Sequence, residues 1–254
     1  MKEQDIISAK KTIETEIVAL REMENSFDEN LTEALDILEN TKGRIIVTGM
    51  GKSGHIARKI AATLASTGSP SFFVHPAEAS HGDLGMLTNN DSVIAISNGG
   101  ESKELSDILA YCKRYEIPLI AITKNADSSL GKAGDYLLKL PSSAEACPIG
   151  MAPTSSTTAT LVLGDVLAVA LMERKGFNKI DYKQRHPGGK LGAMLKKVSD
   201  LMCRKFNDRL GVKLGVERPV SHMLDFALLK ACEAVNAHCP KQGSEHSQGM
   251  VSFV

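Results

Sequence analysis

The chain has 254 residues, with 30 basic and 30 acidic side chains that leave no net charge. This length predicts one large domain or two small ones with an ample core, and 43% hydrophobic residues exclude disorder throughout. Because there is no basic field to attract nucleic acid or an anionic membrane, we expect neither as a partner. The absence of tryptophan and an aromatic content of 4% argue against stacking platforms for sugars or bases.

Hydropathy and cysteine usage favour a cytoplasmic location. The apolar run 160–172 is interrupted by Asp165 and is shorter than the roughly 20 residues that a membrane-spanning helix needs. Residues 1–5 have neither a signal-peptide nor a transit-peptide pattern. The five cysteines include no Cys-x-x-Cys pair, which disfavours a disulfide framework or a structural zinc site, so we expect reduced thiols.

In chain order, amphipathic helices come first and strands alternate with helices after them. Residues 5–40 carry apolar side chains at helical spacing and predict one long or two shorter helices. Short apolar runs predict strands at 44–47, 71–74, 92–96, 118–122 and 135–140. Helices are predicted near 53–67, 102–115, 127–133 and 155–175. Continuous apolar strands separated by helices predict a parallel sheet that is covered on both faces.

Ligands of such sheets bind beyond the carboxyl ends of the strands. After the first strand, residues 49–54 have the spacing Gly-x-Gly-x-x-Gly, which lets the backbone approach a phosphate at a helix N-terminus. A nicotinamide site would need an acid at the end of the second strand, and a Walker A loop would need glycine in place of Ile46. A small phosphorylated ligand fits better, held by Gly51, Lys52 and Ser53. The alternative for Lys52 is a solvated lysine at a helix start.

A second anion cradle is predicted after the third strand, where small and hydroxyl residues including Ser97 and Ser102 meet a helix N-terminus. Glu104 lies in the first turn that follows. The alternative for Ser102 and Glu104 is ordinary helix capping.

Two further segments carry polar side chains. The loop after the second strand contains His75 and His81, for which the alternative is an ordinary hydrogen-bonded loop histidine. Farther along, Glu145 precedes a hydroxyl cluster that opens the last long helix, formed by Thr154, Ser155 and Ser156.

In order along the chain, these motifs resemble the sugar isomerase (SIS) domain of arabinose-5-phosphate isomerases. The matching blocks are 49–54, 75–85, 145–148, 152–157 and 186–189, and the resemblance runs from about residue 5 to residue 202. It implies a doubly wound, flavodoxin-like αβα sandwich with N-terminal helices, assembled as a homotetramer with its sites at subunit interfaces. It also implies interconversion of D-ribulose 5-phosphate and D-arabinose 5-phosphate, which supplies the octulosonic acid of lipopolysaccharide.

The resemblance also assigns roles to individual residues. Catalytic relevance falls on Lys52, Glu104, Glu145 and His186. Substrate contacts are suggested at Gly68, Ser69, His75 and His81, with His75 also a metal contact.

The residue types suit an aldose–ketose isomerase. Moving a carbonyl between C1 and C2 needs a base that takes a proton from one carbon and returns it to the next. Partial burial raises a carboxylate pKa toward the working pH, so Glu145 is the expected base and Glu104 the alternate. His186 would open the sugar ring or shuttle protons, in its own or a neighbouring subunit. Lys52 would stabilise the enediolate or the phosphate, and no cofactor is required.

Two features depart from the family pattern. The phosphate loop commonly reads Ser-x-Ser-Gly, whereas Gly99 replaces the second serine, so we expect weaker binding at most. Full-length relatives often carry a pair of CBS modules, but only 52 residues follow residue 202.

We therefore expect an N-terminal helical segment over 1–41, a SIS domain over 42–202 and a divergent or truncated, poorly ordered tail over 203–254. A metal site in that tail would draw on Cys232, His238 and Cys239. Two alternative functions stay open, namely an isomerase of another phosphosugar and a non-catalytic phosphosugar-binding sensor.

Overall fold

The computed structural model describes residues 2–186 of the chain. The helices are α1 (Lys2–Asn25), α2 (Glu29–Asn40), α3 (Gly51–Ser66), α4 (Pro76–Ala79), α5 (Ser106–Arg114), α6 (Ser129–Ala133), α7 (Ser155–Arg174) and α8 (Lys179–Arg185). The strands are β1 (Ile45–Gly49), β2 (Ser71–Val74), β3 (Ser92–Ile96), β4 (Leu119–Thr123) and β5 (Tyr136–Lys139). Short 3₁₀ turns lie at Asp83–Met86 and Lys103–Leu105. The expected tail over 203–254 and the block after His186 lie outside the described residues.

The five strands form one parallel sheet in the order β2-β1-β3-β4-β5. The predicted α/β fold, with a five-stranded parallel sheet between two helical layers, is confirmed. The chain moves from β1 outward to β2 and then returns across β1 to β3, so the direction of the connections reverses between β1 and β3. Such a reversal leaves a crevice beyond the carboxyl ends of the two strands.

The period-two geometry of each strand divides its apolar side chains between two cores. In β3, Ile94 and Ile96 belong to the core under α2, α3 and α7, whereas Val93 and Ala95 belong to the core under α5. The flanking strands divide their side chains in the same way, and all five residues of each central strand are buried. Burial on both faces explains why these strands read as continuous apolar runs.

The two N-terminal helices lie on the face that α7 also covers. They contact α7, and α2 also contacts β5. Helix α2 begins at an N-cap in which the Asp28 side chain accepts a hydrogen bond from the Asn30 N–H, a usual way to satisfy a free amide at a helix start.

Helix α7 is long and apolar enough, by length and composition, to cross a membrane. In this fold it is a core helix, because it packs against α1, α2 and α3. Buried residues recur along its whole length, from Ser155 to Leu171.

Helices α3 and α7 run parallel, because they pack together near their midpoints and Lys175, just after α7, contacts Ser69, just after α3. Gly164 lets α7 approach α3 closely, since a Cβ there would lie 2.3 Å from Ile60 Cγ1. Beside this contact Lys59 pairs with Asp165. Gly51 and Ser155, the first residues of the two helices, each lie nine residues before the contact. The N-termini of α3 and α7 therefore lie side by side at the carboxyl edge of the sheet.

Candidate functional site

The β1–α3 connection is a tight turn that leaves a helix N-terminus open. Its N-cap residue, Met50, makes no side-chain capping hydrogen bond. Gly51 adopts φ 58° and faces open space on its Cβ side. The helix dipole and the unpaired N–H groups of the first turn, which includes Lys52 and Ser53, favour an anion at this point. Lys52 is exposed there and Ser53 half-buried.

The second loop leaves the sheet beside the first, because Gly49 and Ile96 are register partners on adjacent strands. The Ser97 and Ser102 hydroxyls lie 3.0 Å apart, and Ser97 Oγ also accepts a hydrogen bond from the Gly100 N–H at 3.1 Å. Gly100 adopts φ 76°, and a Cβ there would lie 1.9 Å from Ser128 Oγ. Only glycine therefore permits this loop conformation.

Gly99 and Glu104 face solvent at this loop. A Cβ at Gly99 would meet nothing within 4 Å, so the serine that the family commonly has here would find room. Glu104 is exposed in the 3₁₀ turn and, among residues 2–186, makes no hydrogen bond or ion pair.

The two histidines of the loop after β2 lie in different surroundings. His75 follows the strand directly and packs edge-on against Phe73, with ring centroids 6.1 Å apart. His81 is exposed in the turn after α4, and its backbone N–H donates to the Glu78 carbonyl.

Glu145 occupies the N-terminus of α7. Its Oε2 accepts hydrogen bonds from the Thr154 N–H at 2.6 Å, the Thr154 hydroxyl at 3.0 Å and the Ser156 N–H at 3.3 Å. Burial raises the pKa of this carboxyl, but hydrogen bonds from Ser156 and Thr154 outweigh burial, and its pKa lies below the ordinary value. The expectation of a raised Glu145 pKa was wrong, because the loop folds its carboxylate onto amide donors.

Buried polar atoms without a partner collect at the same edge of the sheet. Among the described residues they include Thr48 Oγ1, His75 Nδ1, Asn98 Oδ1 and Ser155 Oγ. Thr48 is the last residue but one of β1, His75 and Asn98 follow β2 and β3, and Ser155 opens α7. An unpaired buried polar atom costs roughly 1–3 kcal/mol, so this edge of the sheet suits a polar ligand or water that hydrogen-bonds to these atoms.

Three predicted site residues lie at the opposite edge. Gly68 and Ser69 are in the turn before β2, at the amino ends of the strands, where the Pro70 carbonyl accepts from the Ile45 N–H. His186 is the C-cap of α8 and lies close to them, since the Arg185 guanidinium lies over the Phe177 ring and that ring contacts Gly68.

Within one chain, the structure therefore does not join Gly68, Ser69 and His186 to the other candidates. The reason is that α3 and α7 carry the chain from the carboxyl edge to the amino edge of the sheet. Helix α7, with 20 residues, is about 30 Å long.

A metal site at His75 finds no support in the side chains around it. Among residues 2–186, no three or more histidine, cysteine, aspartate or glutamate side chains form a group that could hold a metal ion. The cysteines and histidine proposed for a tail metal site lie outside the described residues.

Residues 37–170 match the SIS domain family, which is more than half of the chain. The chain belongs to the SIS domain family. The N-termini of α3 and α7, both strand-end loops and Glu145 all fall inside the matched range.

Curated relatives of this SIS-domain chain are named isomerases. It is 53% identical over 207 residues to the arabinose 5-phosphate isomerase KdsD of Francisella tularensis (strain SCHU S4), covering 80% of this chain and 63% of that protein. It is 52% identical over 196 residues to KdsD of Escherichia coli K12, covering 77% of this chain and 60% of that protein. The chain thus spans less than two thirds of the length of these relatives.

A solved SIS-type structure matches over its whole length. The c3406 protein of E. coli CFT073, solved in complex with arabinose 5-phosphate, superposes with a TM-score of 0.70 at 42% identity. The match covers 74% of this chain and 100% of that one.

Two carboxylates that hold loops of this SIS domain in place were missed by the sequence analysis. Glu101 accepts from the Ser129 N–H at 2.9 Å and its hydroxyl at 2.7 Å, which ties the 97–102 loop to the start of α6. Glu22 of α1 accepts from the Ser142 N–H at 2.9 Å and from the Ser143 hydroxyl. Glu22 thus anchors the loop that carries Glu145, over a separation of about 120 residues that no local pattern reveals.

Gly100→Ala tests whether the conformation of the 97–102 loop depends on glycine. We expect a loss of about 1–3 kcal/mol in the free energy of unfolding, because the new Cβ collides with Ser128 at a positive φ. Gly99→Ala is the matched control and should change it by no more than about 0.5 kcal/mol. Urea unfolding of both variants is the measurement, and equal stabilities would contradict this account of the loop.

Proposed function

We propose that this chain interconverts D-ribulose 5-phosphate and D-arabinose 5-phosphate, in the supply of 3-deoxy-D-manno-octulosonate for lipopolysaccharide. The observation that carries the proposal is one edge of the sheet where the open N-terminus of α3, a serine loop and the Glu145 carboxylate lie together. Glu104 lies in the turn that follows the serine loop. The names of the KdsD relatives and the arabinose 5-phosphate bound by the c3406 protein support this choice of phosphosugar.

The phosphate is assigned to the α3 side of this edge. Two helix N-termini lie side by side, and Glu145 already satisfies the one that belongs to α7. The α3 terminus has no side-chain cap and presents its amides, Lys52 and Ser53 beside Ser97 and Ser102. A phosphate placed there gains the helix dipole and the lysine charge without competing with a protein carboxylate.

The base that removes the proton from the substrate carbon is assigned to a glutamate at the same edge of the sheet. Deprotonation of C1 of the ketose gives an enediol, and return of the proton to C2 gives the aldose. Three hydrogen-bond donors reduce the basicity of Glu145, whereas both oxygens of Glu104 are free among the described residues. We therefore rank Glu104 first as the base and Glu145 second, which reverses the order expected from sequence.

The remaining roles need no cofactor. Lys52 stabilises negative charge on the enediolate or the phosphate. The Thr154, Ser155 and Ser156 hydroxyls and His75 offer donors and acceptors for sugar hydroxyls, and two of these groups, Ser155 Oγ and His75 Nδ1, lack a protein partner among the described residues. His81 is exposed six residues after His75 and is the last of the proposed sugar-binding side chains.

The complete site is proposed to need a second copy of the chain. His186 lies at the amino edge of its own sheet, so it reaches a carboxyl-edge site only from a neighbouring subunit. Helix α1 exposes several large apolar side chains that a neighbour would cover, namely Ile6, Ile7, Ile13, Ile17 and Val18. We propose a homotetramer on this basis, with 42–202 as the isomerase domain and 1–41 packed on it.

We also propose a cytoplasmic location, where phosphosugars are made and used. Cys112 and Cys147 are both free thiols among the described residues, as expected in a reducing compartment.

Replacing each glutamate by glutamine ranks the two bases. Glu104→Gln should lower kcat by about 10²- to 10⁴-fold with little change in KM, because the amide cannot accept the carbon proton. Glu145→Gln should lower kcat less, because a turned amide still accepts hydrogen bonds from Thr154. Turnover of D-ribulose 5-phosphate measures both. A Glu104→Gln enzyme near wild-type kcat would contradict the ranking, and an inactive wild type would contradict the proposed function.

Mixing two inactive variants tests the shared site. Glu104→Gln and His186→Ala subunits, unfolded together and refolded, should regain activity, because some sites then combine an intact carboxyl edge with an intact histidine. Each variant refolded alone is the control. If the mixture stays as inactive as its components, His186 acts within its own chain.

A further inference from the structure

The turn at 67–70 contacts the residues that follow α7. Lys175 Nζ donates a hydrogen bond to Ser69 Oγ at 2.8 Å, and Ser69 is only 1% exposed. The Ser69 N–H donates to the Leu64 carbonyl at 2.9 Å. Burial lowers the pKa of the Lys175 ammonium, although Glu39 nearby favours its charged form. The hydroxyl and the amide of Ser69 are therefore both occupied by the protein.

The space beside Gly68 is likewise occupied by a side chain of the protein, the ring of Phe177. Gly68 adopts φ 105°, and a Cβ there would lie 2.7 Å from Phe177 Cδ2. On the same ring, the Arg185 guanidinium carbon lies 4.9 Å from the centroid. The ring thus connects the turn before β2 to the last residue of α8.

His186 follows directly and is fixed by its own helix. Asn178 and Asp181 form a capping box that defines the start of α8. The His186 ring stacks on Tyr182 at 3.9 Å and 11°, with Nδ1 2.9 Å from the Tyr182 carbonyl. A carbonyl only accepts, so Nδ1 carries a proton and Nε2 is the nitrogen left for a ligand.

From these contacts we propose that Gly68 and Ser69 are positioning residues for His186. They seat Lys175 and Phe177, and Phe177 with Arg185 fixes the end of α8 from which His186 projects. This inference rests on the proposed function, in which His186 serves the sugar at a neighbouring subunit. Because effects of residues that act as a unit are not additive, the inference predicts coupling between Ser69 and His186.

A double-mutant cycle tests the coupling. Ser69→Ala and Phe177→Leu should each lower kcat by about 10- to 100-fold with KM within about twofold, because a displaced catalytic group slows chemistry more than it weakens binding. Neither should lower kcat further in a His186→Ala background. Ser69→Thr keeps the hydroxyl and should retain most activity. Ser71→Ala removes another hydroxyl at the same edge, one bonded to the Ile45 carbonyl, and is the matched control.

A measurement without substrate separates this inference from the proposed function. NMR of protein with ¹⁵N-labelled histidine rings reports which ring nitrogen carries the proton, and the His186→Ala variant identifies the His186 signal. We expect the Nδ1–H tautomer of His186 in the wild type and in Ser71→Ala. Ser69→Ala and Phe177→Leu should shift or broaden that signal while circular dichroism shows a folded chain. An unchanged signal in both variants would overturn the inference. Rate losses that multiply in the His186→Ala background, or a raised KM at unchanged kcat, would also overturn it, because Ser69 would then act independently of His186.

Discussion

The site depends on the reversal of connections between β1 and β3. Both strands are buried on both faces, so their loops are the first places where the chain meets solvent. Parallel pairing brings the two loops out side by side, about 4.8 Å apart at the strands. Each loop leads to a helical turn, so backbone amides of two segments face one small volume at this edge. Much of the proposed chemistry follows from that placement.

The in-register packing of α3 against α7 adds a second constraint. Gly164 permits the close approach, and it sets the two helix N-termini at the same level. Two positive dipole ends side by side repel each other unless negative charge is supplied. Glu145 supplies it at α7, while α3 stays open. The pair thus separates an end occupied by a carboxylate from an end without a side-chain cap. Burial raises the pKa of the Glu145 carboxyl, and the hydrogen bonds that it accepts at the α7 end lower that pKa below its ordinary value.

Much of this could be predicted from sequence because it is encoded locally. Buried strands leave apolar runs, and the glycines of 49–54 mark a turn with its own geometry. The rest depends on contacts between distant segments. The Glu145 pKa is set by a loop that folds back onto Thr154, and Glu22 reaches that loop from α1. The resemblance implies a substrate contact at Ser69, yet only the path of α3 shows that Ser69 lies at the opposite edge of the sheet.

The most direct test of the proposed chemistry is to incubate the protein with D-ribulose 5-phosphate in D₂O, with and without a chelator, and to follow product and deuterium by NMR. Proton transfer through an enediol predicts D-arabinose 5-phosphate that carries solvent deuterium at C2, at a rate the chelator does not change. A folded protein that binds the sugar phosphate but gives neither product nor exchange would contradict it and would favour a phosphosugar sensor.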